Sequence, residues 1–600
     1  MKKVIVVFVI LGFNTVLPQY FQERSTEQNF EQSELYFSSH YLNPFGLSGF
    51  KEISAGLIDN PFLNLRLNPA NLPQFKDKNF LLYLDFRGDR TEASYLDDYY
   101  VHPFYYVGIP RTPIDRRWVT ITRAEPEPIA SFGILINPIS GITNNFFLGG
   151  TYQFIRRNEN FYDMPYGIYM FNYYYDSFGI RTTGEENIPI VDRFSGKDEM
   201  TNEGHLFSLF TGYQLFENLS VGLGFNGVIH SREGEHLNSY QDEYGSTNNW
   251  RWNSYQSQAR EQKYDHLDFN IGVKYNPIEH LSLGVKGGYL KGDADQNYSS
   301  AFKHLSQNNI PGSSPTWHYS LSDASTIQNW NQDGNTKYLG VDLKHVFKDE
   351  TVVRAYYFYN TTEVDLKNNS EILDTSFYSN RWTYDTTWYF YTGYSATIDR
   401  RTGMGIRSKK THEAMISAKF KLTERSTLTT GFYFRSLSTK VNSTEPAFVY
   451  RISSHNSSSY TGSYSFNYFQ KLIEDKTLVW DYTSDITTVK IPVILNFKLS
   501  DNWDMDIGIV RVADAWNIED VTTAYFKKRE RTDIDSTRIE TNFGERYKLP
   551  NQKISEDYLK FFSSFDVKLS DKFNTRVMIE PEFSPFVRVA QWWIAFEVKL

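Results

Sequence analysis

At 600 residues the chain is longer than one ordinary globular domain, yet its net charge of −9, from 62 basic and 71 acidic residues, offers no polycationic face for nucleic acid. The absence of cysteine excludes disulfides, a thiol nucleophile, thiolate metal sites and a lipid anchor on an N-terminal Cys. Aromatics make up 17%, dominated by 43 Tyr and 46 Phe, a content that suits rings gathered at membrane interfaces or along a binding surface.

Met1-Lys2-Lys3 followed by the apolar run Val4 to Phe13 reads as a secretory signal peptide, residues 1–20, with cleavage expected near Pro18 to Gln22. A run of about ten residues is half of what a spanning helix needs, and no later stretch supplies one. Residues 21–78 show no sustained alternation and are rich in turn formers, such as Asn43-Pro-Phe-Gly-Leu47, Asp59-Asn-Pro61 and Leu67-Asn-Pro-Ala-Asn-Leu-Pro73. They are expected to form an irregular segment that could act as a lumen hatch, with a transmembrane barrel over 79–600.

The hairpin His266 to Leu290 gives the pattern of that barrel. Leu267, Phe269, Ile271, Val273 and Tyr275 alternate with Asp268, Asn270, Gly272 and Lys274. After the turn Asn276-Pro-Ile-Glu-His280, Leu281, Leu283, Val285 and Tyr289 alternate with Ser282, Gly284 and Lys286. One apolar face and one charged or glycine face suit a strand between lipid and a wet lumen. The same reading gives strands at 79–87, 129–137, 145–157, 204–215, 219–230, 264–275, 281–291, 337–347, 351–363, 411–422, 427–440, 486–499, 503–513, 557–569, 573–580 and 588–600. Tight turns at 216–218, 276–280, 347–350, 423–425, 500–502 and 570–572 join them in pairs. Polar connections of about 30 to 45 residues near 88–128, 158–203, 232–262, 293–335, 365–409, 441–483 and 516–555 are expected as long extracellular loops. The fold class expected is therefore all-β, an antiparallel up-and-down transmembrane barrel of sixteen strands, with fourteen as the alternative.

Trp592, Ile594, Phe596, Val598 and Leu600 alternate with Trp593, Ala595, Glu597 and Lys599 to the carboxyl end. This resembles the targeting strand of outer-membrane proteins, which implies the barrel-assembly machinery and outer-membrane lipid as partners; the alternative is an edge strand of a secreted β-sandwich. On the same register the inward face carries Lys274, Lys286, Lys344, Arg354, Lys419, Lys421, Arg435, Lys490, Lys498, Lys568 and Arg576, together with Asp268, Asp342, Asp504, Asp506, Asp566, Glu580 and Glu597. Both signs together predict a hydrated lumen laced with ion pairs, whose plain role is to stabilise the wall.

Aromatic residues set among Asn, Ser and Thr mark the long connections, with Trp250, Trp252, Trp317, Trp330, Trp382 and Trp388 as candidate ligand contacts for glycans or apolar molecules, or else as packing of a lid. No catalytic motif, metal-ligand spacing or cofactor fingerprint is present, so no enzyme is expected. Asp293-Ala-Asp-Gln-Asn297 lacks the glycine and distal Glu of a calcium loop and reads as a solvated loop tip.

Ser54-Ala-Gly-Leu-Ile-Asp59 followed by Leu67-Asn-Pro-Ala-Asn-Leu72 resembles the start of the FadL/OmpP1 group of outer-membrane hydrophobic-compound transporters, where an Asn-Pro-Ala-Gly-Leu box precedes the first strand within a hatch. Asn68, Pro69 and Ala70 match that box and Asn71 replaces its glycine. Members usually have fourteen strands and shorter loops, so this chain would be an enlarged relative. The resemblance implies passive uptake of hydrophobic or amphipathic compounds; the alternative is a surface adhesin, or a scaffold component of an envelope or secretion complex.

Overall fold

The computed structural model describes residues 37–46, 50–51, 53–75, 80–89, 128–138, 145–160, 180–183, 186–244, 249–310, 316–348, 350–384, 387–460, 465–548, 552–582 and 588–599. The signal-peptide segment lies outside these residues. In chain order come two short helices, α1 (Ser54–Leu57) and α2 (Pro61–Leu67), and a 3₁₀ turn (Pro69–Phe75). The strands follow: β1 (Phe80–Asp89), β2 (Ala130–Ile136), β3 (Phe146–Asn160), β4 (Ile180–Thr183), β5 (Glu186–Phe216), β6 (Leu219–Tyr244), β7 (Asn249–Ile278), β8 (Leu281–Ile310), β9 (Thr316–Val346), β10 (Val352–Tyr384), β11 (Thr387–Thr423), β12 (Ser426–Ser459), β13 (Ser465–Lys498), β14 (Trp503–Asp533), β15 (Thr537–Lys548), β16 (Gln552–Ser570), β17 (Phe573–Glu582) and β18 (Arg588–Lys599).

These eighteen segments make a closed antiparallel ring of sixteen strands, as the alternation predicts. β1 pairs with both β2 and β18 and closes the ring. β15 and β16 pair in turn with the same strand, β14, at Val521–Thr532 and Trp503–Ile518 respectively, so together they fill one position of the ring. β3 and β4 stand in the same relation to β5. All six expected tight turns lie between paired strands at one end of the ring.

The two faces separate as lipid and lumen require. Leu267, Phe269 and Ile271 are 56, 53 and 51% exposed, whereas Asp268 and Asn270 are 0 and 1%. The outward apolar run on β7, Leu267 to Tyr275, covers about 30 Å of strand, the length that crosses a bilayer when tilted. Beyond Tyr289 the outward positions of β8 become Lys291, Asp293, Asp295 and Asn297, all exposed. No helix among the described residues is long and apolar enough to cross a membrane. The molecule is a β-barrel of the outer-membrane type.

The strands run well past this band, and here the structure corrects the sequence expectation. The polar stretches at 232–262, 293–335, 365–409, 441–483 and 516–555 are largely ladder, not loop: β10 has 33 residues and pairs with β11 from Val352↔Lys419 to Tyr384↔Thr387. Of the stretch 158–203, residues 186–203 belong to β5; 90–127 and 161–179 lie outside the described residues. Above the bilayer a strand's outer face meets water, so the apolar alternation fades while the hydrogen-bonded pairing continues. Asp293 to Asn297 is accordingly part of β8 and not a loop tip.

Candidate functional site

The described residues between 37 and 75 pack on the inner faces of the ring, and three Asn-Pro turns shape them. In Asn43-Pro44-Phe45, Asn60-Pro61-Phe62 and Asn68-Pro69-Ala70 the asparagine Oδ1 accepts the N–H of the residue two further on, at 2.9, 3.0 and 2.9 Å. Asn60 thereby caps α2, with Pro61 at its first position. Of the expected hatch residues, Asn68 also donates through Nδ2 to the carbonyls of Val273 and Val285, at 3.0 and 3.2 Å, stitching the segment to β7 and β8. Pro69 and Ala70 fill the space above Gly222, and the Asn68 side chain that above Gly272; a Cβ at either glycine would collide with them. Asn71, which stands where the resembled box has glycine, is buried and donates to the Asn64 carbonyl at 2.7 Å.

Three apolar clusters hold the segment. Phe50, Ile53, Leu57 and Leu63 join Tyr356, Met415, Tyr433 and Phe562 of the wall. On the other side Leu42, Phe62, Leu65 and Leu72 join Tyr83, Leu135 and Phe210. The third is an apolar layer toward the long hairpins in which Phe37 links Ile155 and Leu206 to Val364, Val441 and Trp480. Phe37 has φ 58°, held by a hydrogen bond from its N–H to the Tyr264 hydroxyl and one of 2.9 Å from the Thr336 hydroxyl to its carbonyl.

Polar contacts complete the seat. Asp59 pairs with Arg354 at 2.8 Å and Lys344 at 3.2 Å. Its burial works to raise the carboxyl pKa, but the two cations and the amide of Asn64 outweigh it and hold the group well below the usual carboxylate range. Tyr41 accepts from Asn270 at 2.9 Å; burial first, and the nearby Asp268 second, push its phenol well above the ordinary value, so it stays neutral. Of the expected inward charges, Arg576 pairs with Asp566 and Glu580 with Lys560 at 3.3 Å, whereas Lys498 and Lys568 pair with Asp501 and Asp571 of the short turns.

Two cavities lie between segment and wall; both touch β10, β11 and β12, and the upper one also reaches β1, β3, β5, β8 and β9. The upper one, toward the long hairpins, holds about 250 Å³ and is bounded by Phe358, Glu413, Tyr433 and Arg435. The lower one, toward the short turns, holds about 320 Å³ and is bounded by Gly56, Asp59, Arg354, Ser417, Lys419 and Thr429. Between them α1 presses on Tyr356 and Met415. A Cβ on Gly56 would sit 2.6 Å from the Met415 sulfur and 2.9 Å from Tyr356 Cε1, and the Ser417 hydroxyl donates to the Gly56 carbonyl. Sequence reasoning missed this seal, because only the fold brings Gly56 to Tyr356 and Met415.

The candidate tryptophans do not form one site. Trp330 is buried inside the ring. Trp250 and Trp252 lie on β7 opposite Asn308 and Ser306. Trp317, Trp382 and Trp388 meet at the distal ends of β9, β10 and β11, where Trp317 opposes Arg381, Arg381 lies 3.7 Å over Trp388, and Trp382 stacks on Tyr389 at 5.7 Å.

No family model and no curated protein matches the chain. It is similar to solved structures that include the toluene transporter TodX of P. putida, at 9% identity and TM-score 0.30 over 89% of this chain and 92% of that one. A FadL homologue of Pseudomonas aeruginosa is similar at 10% identity and TM-score 0.31 over 94 and 99%. The siderophore receptor PirA of Acinetobacter baumannii is similar at 8% identity and TM-score 0.24 over 87 and 81%.

Proposed function

We propose that this chain is a gated outer-membrane barrel for passive uptake of hydrophobic or amphipathic compounds, with residues 37–75 as its hatch. The observation that carries the reading is the succession of upper cavity, α1 seal and lower cavity beside β10, β11 and β12, the strands that both cavities share. A solute resting in the upper cavity needs only α1 to move off Tyr356 and Met415 to reach the lower one. The apolar layer through Phe37 and Trp480 gives a nonpolar body a surface to settle on above that cavity. Both α1 and α2 are short and rest on the wall through side-chain contacts, so displacing them breaks no ladder of the ring.

Conductance in planar bilayers tests this. Deleting residues 41–73, or crowding the seal with Gly56→Val, opens a steady conductance that the unmodified barrel lacks. Unchanged conductance in both variants overturns the reading. The cluster of Trp317, Arg381, Trp382 and Trp388 at the strand tips favours a second reading, an adhesin or docking surface for glycans or an envelope partner. Replacing Trp382 and Trp388 by Ala abolishes cell-surface binding if that role is real; binding that persists rejects it.

A further inference from the structure

The inner wall at the far ends of β10 to β13 is aromatic and uncharged. Ser457 and Ser459 of β12 are buried while Asn456 and Ser458 are exposed, so odd positions turn inward here as at Glu445 lower down. The register carries that parity across the neighbours and sets Tyr378, Gly393, His455 and Tyr468 side by side in one inward row. The rows next to it run from Ser376 to Gln470 and from Asn380 to Phe466, and Trp382 opposes Tyr389 beyond them. No position in these rows is charged, in a chain with 22% charged residues, whereas the inner face below holds Asp399, Arg401, Glu445 and Glu474.

The rings brace one another. Tyr378 lies 5.1 Å from Tyr391, Tyr391 is parallel to His455 at 6.4 Å, and His455 stacks on Tyr468 at 5.3 Å. Tyr378 also covers Gly393, where a Cβ would lie 2.2 Å from its ring. The polar edges form one directed chain. Tyr378 donates to Tyr391 at 2.8 Å, so its oxygen accepts from His455 Nδ1 at 2.5 Å, and His455 Nε2 accepts from the Ser453 hydroxyl at 3.0 Å. That direction leaves the Tyr391 proton as a donor for a ligand. The four rings are half-buried, and Trp382 and Phe466 are exposed, so faces and edges remain open to the lumen.

We infer that this wall is a binding site for neutral oligosaccharides. A ring face carries partial negative charge and suits the C–H face of a sugar ring, while the hydroxyls, amides and imidazole set among the rings suit its hydroxyls. A charged solute finds no counter-charge here. A hydrocarbon would strip water from the polar groups and return no hydrogen bond. At about 4.8 Å between strands and about 3.3 Å per residue, the four strands and the stretch from Tyr389 to Ser395 make a face of roughly 14 by 20 Å, enough for several sugar units. The site goes beyond the uptake reading, since it binds whether or not a solute crosses, and Arg381 and Trp388 of the strand-tip cluster have the opposite parity.

The test is calorimetric titration of the full-length protein, in a detergent without a sugar headgroup, with maltohexaose, cellohexaose and mannohexaose, after heat-shifted gel migration confirms a closed barrel. Saturable binding of at least one of them is expected. It is indifferent to salt between about 0.01 and about 0.15 M and to saturating toluene. Tyr391→Ala with Tyr468→Ala weakens it about tenfold or more, whereas Tyr394→Ala, exposed on the other face of β11, leaves it unchanged. Should the alanine pair lose the shifted band, Tyr391→Leu with Tyr468→Leu keeps apolar volume without the flat ring and gives the same loss. No saturable heat with any of the three sugars, an affinity equal in the paired variants, or displacement by toluene overturns the inference. Conductance and cell-surface binding are separate readouts, so neither reading above stands or falls with this one.

Discussion

Inside the ring, single charges survive where neighbours satisfy all their bonds. Asp85 has no solvent exposure; it accepts from the Tyr83 hydroxyl at 2.6 Å and from Arg87 at 2.8 Å, and Arg87 also donates to the Asn43 carbonyl at 3.0 Å. Arg87→Ala would leave that carboxylate buried without its cation, so a loss of about 3–5 kcal/mol in urea unfolding is expected, most of it recovered when Asp85→Leu is added. An equal loss in single and double variants would mean that packing, not charge, is at stake. At this scale the sequence was readable where a residue acts locally. Asn68-Pro69-Ala70 could be singled out because its turn is written in three consecutive residues, and Asn43 and Asn60 carry the same signal. Tyr378, Tyr391, His455 and Tyr468 come from four strands, so no local pattern announces their row. Trp330 showed the same limit: its neighbours resemble those of the exposed tryptophans, and only the strand's alternation turns it inward.

A strand could be recognised where its two faces meet different solvents. Leu267 to Tyr275 alternates because lipid and lumen demand different chemistry. Val364-Asp-Leu-Lys-Asn-Asn-Ser370 alternates in burial just as strictly, but its inward face passes from Val364 and Leu366 to Asn368 and Ser370, so hydropathy loses the period. The extended register has an energetic consequence. Asp265, Asp293, Asp333 and Asp365 stand directly opposite one another across β7, β8, β9 and β10, all exposed. Like charges in cross-strand pairs are destabilising by about 0.2–1 kcal/mol each. Asp293→Asn relieves two such pairs, and its unfolding midpoint in urea is expected to rise at low salt by the equivalent of about 1 kcal/mol. At about 1 M salt, where screening acts within about 3 Å, the gain should vanish. A gain that persists there would point to hydrogen bonding by the new amide.

At the scale of the whole molecule, the barrel and its inner segment differ in how they are held. The ring is closed by backbone ladders from strand to strand, whereas α1 and α2 rest on side-chain contacts, with the ion pairs of Asp59 facing Arg354 and Lys344 near the lower cavity. Asp59 is half exposed, so the latch is modest, about 0.5 kcal/mol and roughly a twofold change in open fraction. Its pH dependence follows from the sign of the shift. A carboxyl depressed in the folded state contributes stability above its unfolded pKa and loses it only as pH falls through the lower, folded value. The latch is therefore fully set from pH 8 down to about pH 5 and weakens only below the ordinary carboxylate range near 4. Single-channel records of the unmodified barrel should show the same rare openings across that upper window and more of them in stronger acid. Asp59→Asn should show the raised opening frequency at every pH and lose the acid dependence. If the unmodified barrel instead opens between pH 7 and 5, a group other than Asp59 controls the seat of α1, and the ion pairs with Arg354 and Lys344 are bystanders.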